Sequence, residues 1–135
     1  MGQYDHLHLT VVQKPEILAQ INAAFQKAVG DPNMQVTYGA PTVIYVSCKN
    51  EDEEIVKGCN AGVVMENMLL EAADLGLGAV YLFGVSQVLF ANEEITKLLQ
   101  IPEGFRTVSA IAVGTSADAL QERTLGTDKI STTTL

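Results

Sequence analysis

The sequence has few of the residues on which several classes of protein depend. It has no tryptophan, two cysteines and only two arginines, and it has eight basic residues against sixteen acidic residues. The net charge of −8 leaves no basic surface for a nucleic acid, and no apolar run approaches the ~20 residues that span a bilayer. The opening MGQYDHLH also lacks the cationic start and apolar core of a leader. We therefore expect no nucleic-acid or membrane partner and a cytoplasmic location, where Cys48 and Cys59 are reduced.

What the sequence does contain suits one mixed α/β or α+β domain. Its 135 residues are 47% hydrophobic, enough for a single core without a disulfide or a metal. Apolar alternation and short apolar runs predict strands over residues 6–13, 42–48, 79–83 and 107–113. Three- and four-residue apolar spacing predicts three helices. The first begins at Pro15 and ends near Gly30. The second follows the acidic stretch Glu51–Glu54 and ends at Gly76-Leu77-Gly78. The third runs from a cap at Asn92 or Ala91 to Leu99.

Three features invite a catalytic or metal interpretation, and each has a simpler one. His6 and His8 share one strand face, but a metal site needs further ligands, so solvent-facing or hydrogen-bonded histidines are the default. Cys59 lies near a helix start, a position that suits a nucleophilic cysteine, yet no histidine is near it in sequence. Gly76-Leu77-Gly78 closes a helix, whereas dinucleotide-binding glycines open one. We predict no metal site and no catalytic side chain.

An ordered set of motifs runs through the chain. The second strand is entered by YGAPTVI (38–44), the central helix reads ENMLLEAADLGLG (66–78), and LQIPEGF (99–105) precedes AIAVG (110–114). The segment 8–14 followed by PEIL (15–18) adds a first strand and helix. In this order they resemble the FMN-dependent nitroreductase family, with its "gAP-x-x-I", "qNm-x-LaA-x-x-lGLG", "lgIPeg" and "aiaiG" motifs. The resemblance covers about residues 6–125.

The resemblance implies a fold, a reaction and an assembly. The fold is α+β in three layers, with a mainly antiparallel sheet and helices on both faces. Such proteins are homodimers that bind FMN at the subunit interface and pass hydride from NAD(P)H to the flavin and on to small electron-poor acceptors, such as nitro compounds or quinones. Because the cofactor carries this chemistry, few side chains need take part in it. We expect residues 1–114 to form the core and residues 115–135 an extension that contacts the partner subunit.

The resemblance also assigns candidate site residues. Phe83, Gly84 and Val85 match the place where the family's chain passes over the flavin ring, although an ordinary strand-to-helix turn is the alternative. Arg123 matches the late cation that binds the phosphate, with a surface residue of the tail as the alternative. The family's R-x-S-x-R and S-x-x-N-x-Q-P-W stretches have no counterpart here. The alternative function is therefore a degenerate, non-catalytic member that keeps the dimeric scaffold and binds no flavin or another small ligand.

Overall fold

The computed structural model describes residues 4–84, 88, 92–118, 122, 124, 126 and 129–135. The strands are β1 (Leu7–Val12), β2 (Thr42–Lys49), β3 (Gly78–Tyr81) and β4 (Phe105–Gly114). The described helices are α1 (Pro15–Val29), α2 (Glu54–Asp74) and α3 (Glu93–Leu98), and a short 3-10 helix (Tyr4–His6) precedes β1. All seven predicted elements are present. The prediction for the third strand was too long at its end, because the strand stops at Tyr81 and Phe83 lies beyond it.

The four strands form one antiparallel sheet in the order β1-β2-β4-β3. Thr10, Tyr45 and Ala110 lie side by side across its first three strands. The register between β2 and β4 shifts between Val46 and Ser47, which marks a β-bulge. The sheet and its helices confirm the α+β class and the antiparallel pairing expected from the sequence.

The helices cover both faces of the sheet and form two hydrophobic clusters. On one face, Ile21 and Phe25 of α1 pack with Val43 and Tyr45 of β2, and α3 adds Ile95. On the other face, α2 buries Ala61 and Met65 against Val46 and Ile111. The result is three layers, with the sheet in the middle. Among the described residues, no helix has the length and apolar character that crossing a membrane requires.

Local signals fix the helix ends. Pro15 is the first residue of α1, and Gly30 closes that helix in the left-handed conformation, at φ 73°, with its N–H bonded to Gln26 O. Asn92 caps α3 by accepting hydrogen bonds from two backbone N–H groups of the first turn. Gly76 has φ 70° two residues after the last residue of α2. The Gly-Leu-Gly motif thus closes a helix, as predicted.

Candidate functional site

Phe83 and Gly84, two of the three predicted ring-binding residues, follow the edge strand β3 and are helical. Leu82 N donates a hydrogen bond to Ala110 O at 2.8 Å, so β4 holds the chain immediately before the site. Phe83 is 57% exposed, and Gly84 is exposed as well. Apart from the neighbours of Gly84 along the chain, no heavy atom of the described residues lies within 4 Å of the position that a Cβ on Gly84 would take. A flat ligand can therefore approach the backbone at Gly84 closely. Val85 lies outside the described residues.

The structure adds a residue that the sequence analysis missed. The rings of Tyr81 and Phe83 are in contact, with centroids 6.0 Å apart and planes at 49°. Tyr81 is 41% exposed. The strand ends at Tyr81, and Phe83 and Gly84 are helical. The period of two along a strand therefore does not extend to residue 83, and it gave no signal for this contact. Two exposed aromatic rings thus lie directly before the open backbone of Gly84.

The phosphate end of the site is defined less fully. Arg123, the predicted phosphate ligand, lies outside the described residues. Within the described part of the chain, four cations lie within 4.0 Å of a carboxylate: Lys49, Lys57, Lys97 and Arg106. Lys14, Lys27 and Lys129 are exposed and have no such partner among those residues. The exposed backbone at Gly84 leaves room for a planar ring, whereas the described residues contain no cluster of unpaired cations that would form a phosphate site.

The helix α2 carries exposed apolar side chains and borders an apolar cavity. The outward side of this helix exposes Ile55, Val63 and Leu70 by 72%, 64% and 60%. Beside the helix, a cavity of about 540 Å³ opens between α2 and the sheet. Its apolar lining includes Leu9, Ile44, Val64, Met68, Leu75, Leu77 and Val113. Exposed apolar side chains beside an apolar cavity make this side of the molecule a candidate for contact with another molecule.

The structure also places the histidines and cysteines that the sequence analysis considered. His6 hydrogen-bonds Asp52, and the ring of His8 packs edge-on against Phe105. Cys48 is buried, and burial, with a smaller effect of the nearby Asp52 charge, raises the pKa of its thiol. Cys59 is exposed on α2. No group of three His, Cys, Asp or Glu side chains in the described ranges is arranged to hold a metal ion.

Comparison with known proteins identifies the family. The model of the nitroreductase family matches residues 4–115. A curated protein of Methanothermobacter thermautotrophicus, named as a candidate NADH dehydrogenase/NAD(P)H nitroreductase, is 33% identical over 115 residues. That alignment covers 82% of this chain and 56% of the relative, so the chain spans little more than half of the relative's length. The chain belongs to the nitroreductase family.

Solved structures agree on the fold. A nitroreductase of Bacteroides fragilis with bound FMN superposes with a TM-score of 0.78 at 21% identity, covering 98% of this chain and 79% of that one. An FMN-bound nitroreductase of Desulfitobacterium hafniense gives 0.74 at 19% identity, with 96% and 76% covered. An FMN-dependent nitroreductase of Clostridium difficile gives 0.74 at 21% identity, with 98% and 81% covered. The family resemblance and three-layer fold expected from the sequence are confirmed.

Proposed function

We propose that this chain is the subunit of a homodimeric flavin oxidoreductase, which uses FMN to carry electrons from NAD(P)H to a small electron-poor acceptor such as a nitro compound or quinone. The observation that carries the proposal is the exposed, unobstructed backbone of Gly84, in a chain that belongs to the nitroreductase family. Bound FMN would supply the redox chemistry between NAD(P)H and the acceptor, and Phe83, Gly84, Val85 and Arg123 would hold it. The free thiols of Cys48 and Cys59 suit the reducing cytoplasm, where we place the protein.

In this proposal the protein binds and orients, and the cofactor reacts. Phe83, Gly84 and Val85 lie against the flavin ring, since a glycine lets the main chain come within contact distance of a planar ligand. Arg123 binds the phosphate, because a guanidinium donates paired, charge-assisted hydrogen bonds to phosphate oxygens. With a net charge of −8, the protein depends on such local contacts to hold a dianion.

The apolar surface around α2 supports the homodimer. Val63 and Leu70 project from the helix, and the 540 Å³ cavity lies beside them on the same side of the molecule. If a two-fold axis relates two subunits, the exposed side of α2 in each subunit can pack into the cavity of the other. The end of the tail, with Ile130 80% exposed and Leu135 fully exposed, is proposed to contact the partner subunit.

The cofactor is tested by the colour of the purified protein and by FMN titration. We expect a flavin absorbance band that survives gel filtration, or saturable binding of added FMN. Gly84→Ala and Gly84→Leu should weaken FMN binding progressively, because the added atoms occupy space that is open in the free protein. Their unfolding midpoints should stay near that of the parent. A colourless protein that ignores FMN would leave the alternative of a non-catalytic family member.

The phosphate contact is tested separately. Arg123→Ala should weaken FMN binding at least about ten-fold, because a charge-assisted contact to phosphate is lost. Riboflavin, which has no phosphate, should bind the parent and Arg123→Ala equally. Lys27→Ala removes an exposed cation from α1 and serves as the matched control, with no expected effect on FMN. Equal FMN affinity of Arg123→Ala and the parent would place the phosphate elsewhere.

The dimer is tested by sedimentation and by thiol labelling. Val63→Lys should shift the protein towards monomer, because it puts a charge in the proposed interface. Val29→Lys at the end of α1, on the opposite side of the sheet, should leave the assembly unchanged. In the same samples, labelling of the exposed Cys59 should be slower at concentrations that favour the dimer, whereas the buried Cys48 should stay unlabelled in the native protein. A concentration-independent monomer would contradict the proposal.

A further inference from the structure

The turn that leads into β2 holds a tyrosine in an unfavourable backbone conformation. Ala40 N donates a hydrogen bond to Thr37 O at 2.9 Å, which closes a four-residue turn. Both central residues have positive φ, 54° at Tyr38 and 72° at Gly39. Turns of this kind favour asparagine or glycine at the first central position, because a bulky side chain is disfavoured in the left-handed region. Tyr38 therefore lowers the stability of the turn in which it lies.

Packing of the Tyr38 side chain does not compensate for this conformation. The residue is 70% exposed. Among the described residues, its ring contacts no other aromatic ring and its hydroxyl has no hydrogen-bond partner. Residues that are held in rare backbone conformations are concentrated at sites of function, such as ligand sites. The position of Tyr38 fits this pattern, because it borders a cavity.

This cavity of about 420 Å³ lies at the end of the sheet where β3 begins and β4 ends. Gly78 and Gly114 lie opposite each other in the register there. The walls are close-packed: a Cβ on Gly114 would lie 2.7 Å from Cδ of Pro41, and one on Gly78 would lie 3.2 Å from Cβ of Ser116. Gly84 follows the other end of β3, so the cavity is separate from the proposed flavin site. Its volume is in the range of small-molecule sites.

The lining of the cavity contains one charged side chain. Asp118 is exposed and has no ion-pair partner among the described residues. Its backbone is fixed by Ser116, whose hydroxyl accepts a hydrogen bond from Asp118 N at 3.3 Å and donates one to Asp118 O at 2.9 Å. None of the described lining residues is a lysine, arginine or histidine, so the cavity does not suit an anion. Its apolar lining consists of Ala40, Pro41, Ala79, Val80, Ala112 and Ala117.

We infer that this cavity binds a small organic cation, a primary ammonium on a compact apolar body, through the carboxylate of Asp118 and the ring of Tyr38. An ammonium donates charge-assisted hydrogen bonds to a carboxylate and is attracted to the face of a phenol ring. The apolar body of the ligand is placed against the alanine and valine side chains of the lining. The net charge of −8 raises the local concentration of cations.

A bare metal ion fits this lining less well. Calcium takes six to eight oxygen ligands, and the cavity offers a single carboxylate among mostly apolar walls. The site requires neither FMN nor NAD(P)H, so it does not depend on the proposed oxidoreductase.

The binding test uses cyclohexylammonium, cyclohexanol and cyclohexanecarboxylate, which share the apolar ring and differ in charge. Each is titrated at pH 7 into the full-length protein without FMN or NAD(P)H, and binding is followed by the NMR shifts of the tyrosine side chains. The chain has only four tyrosines, so the Tyr38 signals can be assigned by substitution. We expect cyclohexylammonium to shift these signals and to bind about five-fold more tightly than cyclohexanol, and cyclohexanecarboxylate not to bind. Added salt should weaken the binding of the cation.

Four variants separate ligand binding from a structural effect. Tyr38→Asn should weaken the binding of cyclohexylammonium and, at the same time, raise the unfolding midpoint, because asparagine suits this turn. Tyr38→Phe should keep the binding, because the ring remains. Asp118→Asn should reduce the preference for the ammonium over the alcohol to about equal binding. Glu103→Gln is the matched control, since Glu103 is exposed, has no ion-pair partner among the described residues and precedes the other end of β4.

The outcomes are distinguishable. Equal binding of the ammonium and the alcohol by the parent protein, or an unchanged preference in Asp118→Asn, overturns the inference whether or not FMN binds. A Tyr38→Asn variant that is less stable than the parent also overturns it, because the tyrosine would then serve the fold. Cation binding that depends on Tyr38 and Asp118 in a protein that never binds FMN supports the site and contradicts only the proposed oxidoreductase.

Discussion

His6 Nδ1 lies 2.7 Å from Asp52 Oδ1, and this contact joins the segment before β1 to the loop between β2 and α2 across 46 residues of sequence. The two side chains are only 17% and 10% exposed. The second carboxylate oxygen of Asp52 is buried and has no hydrogen-bond partner among the described residues. The carboxylate therefore depends strongly on His6, because a buried charge without a partner is costly.

We predict that His6→Ala lowers the free energy of unfolding by about 1–3 kcal/mol, because it leaves Asp52 buried and unpaired. Combining it with Asp52→Ala should be less damaging than the sum of the two single changes. Urea unfolding of the two single variants and the double variant measures this coupling. His8→Ala is the control, because the described contact of the His8 ring is with Phe105 and not with an aspartate. Strictly additive effects of His6→Ala and Asp52→Ala would contradict the coupling.

A second prediction concerns acid stability. The hydrogen bond from Lys57, together with that from Arg106, lowers the pKa of Glu54 below its ordinary value. A carboxyl with a lowered pKa in the folded state stabilises the protein above its unfolded pKa of about 4.3, and loses that effect as the pH falls through the folded value. Glu54→Gln should therefore be less stable than the parent at pH 7, and the difference should vanish in strong acid.

This pH dependence is measured by urea unfolding at several pH values. The effect should be small, since the Glu54 side chain is 75% exposed and solvent screens such pairs. Glu103→Gln is the control, because Glu103 is exposed and forms no ion pair among the described residues. A stability difference for Glu54→Gln that persists below pH 3 would show that the side chain acts through packing and not through its charge.

A third prediction concerns alkaline stability. Tyr45 is 1% exposed, its hydroxyl has no hydrogen-bond partner among the described residues, and burial raises its pKa. Above pH 10 the unfolded chain loses this proton while the folded protein keeps it, so stability falls as pH rises. Tyr45→Phe should be at least as stable as the parent at pH 7. Between pH 7 and pH 11 its free energy of unfolding should fall by about 1 kcal/mol less than that of the parent.

The comparison needs an exposed tyrosine. Tyr38 is 70% exposed, and Tyr38→Phe should follow the parent's alkaline stability curve. Guanidinium unfolding of the parent and the two variants at pH 7 and pH 11 gives the six free energies of unfolding. If Tyr45→Phe is less stable than the parent at pH 7, the hydroxyl has a partner in solution, such as a buried water molecule.

A fourth prediction concerns the junction between β4 and the loop before β2. A Cβ on Gly114 would lie 2.7 Å from Cδ of Pro41, which is closer than such atoms can approach. Gly114→Ala should therefore lower the free energy of unfolding by about 1–3 kcal/mol. Gly58→Ala in α2 meets no atom within 4 Å and should raise it by about 0.5–1 kcal/mol. Thermal unfolding of both variants measures the direction of each change in stability. A Gly114→Ala variant as stable as the parent would contradict the predicted clash.

The sequence predicts the elements well and the site only in part. Pro15, Gly30 and Asn92 act on the backbone next to them, so the helix ends are readable from local chemistry. Phe83 and Gly84 were proposed from their place in a family motif and stay predictions, and the structure adds that both residues are exposed. Tyr81 was missed because its exposure depends on what covers the outer strand. Arg123 and Val85 stay predictions.

By itself, the sequence determined the order of strands and helices, the acidic character of the protein and its membership of a family, because these depend on composition, periodicity and motifs along the chain. Only the tertiary structure decided that β4 pairs between β2 and β3, that His6 reaches Asp52, and that one side of α2 stays open. These relations join residues that are far apart in sequence. The packing of whole layers determines which distant residues meet, and local propensities do not encode that packing.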